Sequence, residues 1–308
     1  MNSRNKILII SLAGLLVMSL LLAWFGRERE KSEVDKKMFR VVDSEKIDQV
    51  ILKSPSSQVD LKFENSRWRV NGQWDADPQM IKVLFAMLRQ VEPRRPVAAQ
   101  LRDSVRGAMS QSGVRVTLFA EGINRMTFYE AGNDQKTETY FIKDGDEQPW
   151  LVAIPGYRVY VGGVLELDDY GWRNKRIFDF RWNTFKSLTA SYPGEPAQGF
   201  EVEMKDHFFG IKGIDADTTK LNNYLDAVSL LFASRYLRDA GADSVSGRKI
   251  GAHIEVKDIG NRIYTLDIFA PAAGDKEIFG KTGAGDVVAF ERRSLSDILR
   301  RKTWFLPR

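Results

Sequence analysis

Asp75-Ala76-Asp77-Pro78-Gln79-Met80-Ile81 and, 140 residues on, Asp215-Ala216-Asp217-Thr218-Thr219-Lys220-Leu221 decide how this chain is read. Each stretch opens an amphipathic segment. Asp77 is placed to cap a helix, and Pro78 sits at the first helical position, where its missing N–H matters least. Ile81, Leu84, Phe85 and Leu88 then follow helical 3/4 spacing, and at the same offset they match Leu221, Tyr224, Leu225 and Val228. Three strand-like runs precede each helix. The first set is Val50–Lys53, Val59–Phe63 and Trp68–Val70; the second is Leu188–Tyr192, Phe200–Met204 and Phe208–Ile211.

The correspondence continues outward. Val116 and Leu118 match Ile254 and Val256 in strand-like alternation, and the turns Gly122, Asn124, Arg125 and Gly260, Asn261, Arg262 follow. Thr139–Lys143 then matches Glu277–Lys281, with Lys143 opposite Lys281. Leu167 and Asp169 match Leu295 and Asp297, and Arg173–Phe178 (RNKRIF) matches Arg300–Phe305 (RRKTWF). The pattern predicts an α+β fold: a tandem duplication of a mixed α/β unit, each copy running β-β-β-α, then a β-meander, then a short helix with a basic-aromatic tail. The copies are placed at 41–180 and 181–308.

Ahead of them, Ile7–Phe25 carries no charged side chain over 19 residues (25 − 7 + 1). At about 1.5 Å per residue this run matches the ~30 Å hydrocarbon core of a bilayer. Arg4 and Lys6 precede it, Arg27–Glu30 follows it, and Trp24 stands at the exit. Ala23-Trp24-Phe25 is not a small-residue cleavage site. The expectation is a single transmembrane helix within 1–26 behind a short cytoplasmic tail, and a charged juxtamembrane linker at 27–40. The rest of the chain is then placed outside a bacterial inner membrane, in the periplasm.

Composition narrows the chemistry. The 308 residues hold 46 Lys plus Arg against 41 Asp plus Glu, a charge of +5 spread too thinly for a dedicated nucleic-acid binder. Cysteine is absent, which excludes disulfides, thiol nucleophiles and thiolate metal sites. His207 and His253 are the only histidines, and neither belongs to a motif. Gly280-Lys281-Thr282 lacks the leading glycine of a phosphate loop and runs into a strand-like segment, Val287–Phe290, so it reads as a hairpin. Asp75 with Asp77, and Asp215 with Asp217, read as helix-start residues more readily than as an acid–base pair. Asp168-Asp169 beside Tyr170 reads as a helix end. No catalytic residue, cofactor site or metal site is assigned.

The two closing segments are the candidates for binding a partner: Trp172, Arg173, Lys175 and Arg176 in the first, Arg300, Arg301, Lys302 and Trp304 in the second. Cations there suit a helix C-terminus, an anionic headgroup layer or a docked protein, since Arg and Trp are common interface anchors.

Several of these features together resemble one bacterial family. They are the apolar N-terminus, Ile47–Leu52 (I-D-x-V-x-L), Trp68-Arg69-Val70, Ala76–Ile81 (A-D-P-x-x-I), and the closure Tyr157–Tyr160, Leu165–Asp168 and Trp172–Phe178. The chain resembles the family called domain of unknown function 4340 over nearly its whole length. That resemblance implies an auxiliary subunit beside ABC-2-type transporters of the kind linked to gliding motility, with the permease and auxiliary subunits as partners. It implies no catalytic residue. The function expected is thus a non-catalytic, membrane-anchored accessory or scaffold subunit. The alternative is an envelope enzyme or ligand-binding module acting on cell-wall or lipid material.

Overall fold

The computed structural model describes Leu15, Met18, Ser19, residues 34–205 and residues 208–307. Its strands form two antiparallel sheets. The first contains β1 (Gln49–Lys53), β2 (Gln58–Glu64), β3 (Arg67–Val70), β4 (Trp74–Asp75), β5 (Glu92–Pro96), β6 (Val114–Ala120), β7 (Ile123–Gly132), β8 (Thr139–Lys143) and β9 (Trp150–Ala153). Their order is β4-β3-β2-β1-β6-β7-β8-β9-β5. The second contains β10 (Phe185–Ser191), β11 (Phe200–Lys205), β12 (Phe208–Ile211), β13 (Arg235–Tyr236), β14 (Ile250–Asp258), β15 (Ile263–Phe269), β16 (Glu277–Thr282) and β17 (Val287–Glu291). Their order is β12-β11-β10-β14-β15-β16-β17-β13. Apart from β4, the two orders run alike.

The described helices are few: α1 (Pro78–Gln90), α2 (Ala99–Ser112), α3 (Asp169–Trp172), α4 (Thr218–Ser229) and α5 (Asp239–Ser246). This corrects the expected fold class. The protein is β-rich, with seventeen strands among the described residues, and is not a duplicated α/β unit behind a transmembrane helix. The physical reason lies in the connections. Segments not read as strands supply β5, β9 and β13, which widen the sheets. The expected closing helices shrink to the four residues of α3 and a 3-10 turn at Lys302–Phe305.

The expected membrane anchor is corrected as well. No helix among the described residues is long and apolar enough to cross a membrane. Apart from Leu15, Met18 and Ser19, the run Ile7–Phe25 lies outside the described residues, as does much of the linker at 27–40. The single-pass inner-membrane placement is therefore withdrawn.

Asp77 accepts a hydrogen bond from the Gln79 N–H at 2.8 Å, and Asp217 from the Lys220 N–H at 3.1 Å, so each aspartate caps its helix. Ile81, Leu84 and Leu88 are buried, as are Leu221, Tyr224, Leu225 and Val228. Phe85, expected in the core, is only half-buried, and Met87 is buried instead. Register moves one match. Tyr129 pairs with Ile142 while Asp267 pairs with Lys281, so Lys281 corresponds to Ile142 and not to Lys143.

The chain divides into two compact units, one of Met1–Asp48, Leu52–Ser56 and Val83–Glu166, the other of Gln49–Ile51, Ser57–Lys82 and Leu167–Arg308. In the first, Phe39, Phe128 and Phe141 form a fully buried ring cluster with centroids 4.6–6.1 Å apart. In the second, Phe305 meets Phe200 at 4.8 Å and Tyr224 at 5.3 Å, edge to face. Truncating Leu84 or Leu225 to Ala is expected to destabilise the protein by about 2–5 kcal/mol, the range for large core deletions. Urea denaturation measures this, and a loss under 1 kcal/mol for either would contradict its place in the core.

Candidate functional site

The first closing segment is built inward. Trp172 is fully buried, and its carbonyl accepts the N–H of Asp77 at 2.8 Å. Arg173 is 4% exposed. Its guanidinium lies 3.4 Å from the Trp74 ring centroid and 4.1 Å from that of Tyr170, with Tyr236 at 5.7 Å. It pairs with Asp169 and, at 3.3 Å, with Asp286. Burial raises the Asp286 carboxyl, and Arg173 opposes that rise. Arg176 pairs with Asp179 at 3.5 Å and faces the Phe232 ring, while Lys175 gives its carbonyl to the Ala233 N–H at 2.8 Å.

The second segment is similarly self-satisfied. Arg301 stacks 3.8 Å over Tyr192 and reaches Glu195 at 3.1 Å, which holds that carboxyl below its usual range. Arg300 pairs with Asp297 and lies 4.7 Å over Trp304. Lys220 donates to the carbonyls of Trp304 (3.0 Å) and Leu306 (2.7 Å). Lys302 is half-buried beside the Gly213 turn. Most of the proposed docking charges thus tie the second unit to itself.

The other polar motifs have structural partners too. Asp75 pairs with Arg69 at 2.6 Å and Arg67 at 3.0 Å. Asp168 caps α3 through the Gly171 N–H. Gly280-Lys281-Thr282 belongs to strand β16, with no helix behind it. His253 Nδ1 lies 2.6 Å from Asp267 across β14 and β15, and His207 lies outside the described residues. Among the described residues no group of three or more acidic or histidine side chains is arranged to hold a metal.

The feature that sequence reasoning missed is a cleft of about 550 Å³ in the first unit. Lys53 at the end of β1, Arg106 on α2, Arg115 on β6 and Lys143 on β8 line it, with Asp146 as the lining acid. Arg115 reaches Asp144 at 3.7 Å, and the side chains of Lys53, Arg106 and Lys143 make no ion pair among the described residues. The floor is apolar: Met109 of α2 is buried against Ile142 and Ala131 of the sheet, and Tyr129 packs beside them. Gly113 permits this seam. A Cβ there would stand 2.4 Å from the Met109 carbonyl oxygen and 2.5 Å from that of Glu130, so only glycine lets the helix end this close to β7. The four cations come from four elements up to 90 residues apart (143 − 53), which hides them from motif reading.

A second unexpected group lies on the core face of β7. Glu130 is fully buried, and its Oε2 has no hydrogen-bond partner among the described residues. Tyr160 donates to Glu166 and stands 3.5 Å from Glu130 Oε1, while Lys136 meets Glu166 at 2.7 Å. Gly162 makes room for the carboxyl, since a Cβ there would fall 2.2 Å from Glu130 Oε1. Burial, with Glu166 adding repulsion, pushes the Glu130 carboxyl up to about 8. This group was legible: in the alternation Phe128-Tyr129-Glu130 a charge shares the face of a core phenylalanine. The register-equivalent residue of the second sheet is Ile268.

No protein-family model, curated protein or solved structure matches the chain.

Proposed function

We propose that this protein works by binding, as a non-catalytic accessory or scaffold subunit, and that the cleft of the first unit is where it engages its partner. The single observation behind this is the cleft itself: four cations, three of them without an ion pair among the described residues, around an apolar floor. A pocket of this size and lining is the default binding site of a fold. The sequence resemblance supplies the partners in this reading, an ABC-2-type permease and its auxiliary subunits.

The test is co-isolation of the tagged full chain from gently solubilised cells. A permease or auxiliary subunit is expected to co-elute. Combined Lys53→Glu, Arg106→Glu and Lys143→Glu is expected to weaken that co-elution about tenfold, a change of ~1.4 kcal/mol in binding, at an unchanged melting temperature. A protein that migrates alone while hydrolysing an envelope substrate overturns the reading.

A further inference from the structure

We propose that the first-unit cleft takes an acidic, extended segment of a partner protein, seating one apolar side chain on its floor and its carboxylates on the cationic rim; this rests on the binding function proposed above.

The second sheet provides an internal control. On the same outward face, β6, β7 and β8 carry Arg115, Tyr129 and Ile142 in register, and β14, β15 and β16 carry His253, Asp267 and Lys281. The second stripe neutralises itself, with His253 2.6 Å from Asp267 and Lys281 opposite that aspartate. The first stripe has no acid on this face of its strands, since Glu130 of β7 points to the core, and Asp144 reaches Arg115 only at 3.7 Å from the turn after β8. The same strand order thus forms with the face either closed by its own charges or left cationic. The open cationic face of the first sheet is not something this topology requires.

Charge position then selects the ligand. Lys53, Arg106 and Arg115 are exposed at the rim, whereas the floor is Met109 and Ile142, both buried. The floor also receives the C-terminal turn of α2, whose last carbonyls carry partial negative charge. A bare phosphate pressed into the floor meets that negative helix end and apolar side chains. An apolar group suits the floor, and negative charges suit the surrounding rim. Cations contributed by four separate elements match carboxylates spaced along a chain better than one compact anion. Rim charges of this kind set salt dependence and encounter rate, and the buried apolar anchor sets residence.

The experiment is fluorescence anisotropy of the full chain with a fluorescein-labelled decapeptide of alternating Glu and Leu. Saturable binding is expected, about tenfold weaker when salt rises from roughly 50 to 200 mM, and about tenfold weaker for Lys53→Glu/Arg106→Glu. Replacing the Leu residues by Ser, or Ile142 by Asp, is expected to weaken it by a similar factor. Three results overturn the proposal: no saturable binding, equal binding of the Ser-substituted peptide, or complete displacement by millimolar inorganic phosphate. Each leaves the accessory-subunit reading standing if the triple reversal still weakens co-isolation of the permease. Loss of co-isolation in the wild type itself removes that reading without touching the peptide result. Circular dichroism of every variant guards against misfolding, and Lys53→Gln/Arg106→Gln provides a milder pair that should weaken binding in the same direction.

Discussion

Arg173→Met is expected to destabilise the second unit by about 3–5 kcal/mol, the range seen when one partner of a buried ion pair is removed. The guanidinium is 4% exposed and fills a slot between Trp74 and Tyr170. Methionine replaces part of that volume but not the planar stack or the fork toward Asp169 and Asp286. Both carboxylates are then left in a half-buried setting without their cation. Arg173→Lys should recover little, because a compact ammonium cannot stack on two rings and reach two acids at once. Adding Asp286→Asn and Asp169→Asn to Arg173→Met should restore part of the loss, since much of it is the orphaned charge rather than the missing contact. Urea denaturation of the four proteins decides this. A loss below 1 kcal/mol for Arg173→Met would show that the cage is ornamental to stability. The same geometry makes charge reversal at Arg173 a test of folding, so interface mapping belongs at Lys53, Arg106 and Lys143.

What was legible in the sequence was local, and what escaped it was long-range. Asp77 and Asp217 declare their helices because a cap needs only a side-chain oxygen two or three residues from its target. The strands Gln49–Lys53, Gln58–Glu64 and Arg67–Val70 announce themselves through period-two alternation, as do their counterparts at Phe185–Ser191, Phe200–Lys205 and Phe208–Ile211. The fold class failed where a strand carried no alternation of its own. Glu92–Pro96 holds two prolines and two arginines, yet it pairs with Trp150–Ala153 as an edge strand, where proline is tolerated. Trp172 and Arg173 invited an interface reading because Arg and Trp anchor interfaces, and the same planar chemistry serves equally to lock a chain end onto its own rings. The basic cleft stayed hidden because Arg115 reads as one outward residue of an apolar strand, and only the α2 packing turns it into a wall of a cavity.

Glu130→Gln should make the protein more stable at alkaline pH, and the size of the gain should depend on pH in a specific way. The native carboxyl titrates at about 8 against an ordinary 4.5, because burial and the nearby Glu166 both disfavour its anion. The Tyr160 hydroxyl and Lys136 only partly offset this. Below pH 4.5 the folded and unfolded chains both hold the proton, and Glu130 contributes no pH dependence. Between 4.5 and 8 the unfolded chain releases a proton that the native state keeps, so stability falls as pH rises. Above 8 the native carboxylate is ionised too, and the full penalty is in place. At ~1.4 kcal/mol per pH unit this penalty reaches about 3–5 kcal/mol, roughly 3 of it by pH 7. Glutamine keeps the shape and removes the titration. Glu130→Ile places there the residue type of the equivalent position, Ile268, and should behave alike if its branched chain fits beside Gly162. Denaturation at pH 5, 7 and 8.5 tests the claim. The difference between variant and wild type should be about 1 kcal/mol or less at pH 5 and grow toward 8.5, which isolates Glu130 from every group that titrates equally in both proteins. Parallel curves with a constant offset would mean that Glu130 is ionised and well solvated at pH 5. The second sheet folds with an isoleucine at this position, so a gain in stability here would mean that the first sheet retains a carboxyl its architecture does not need.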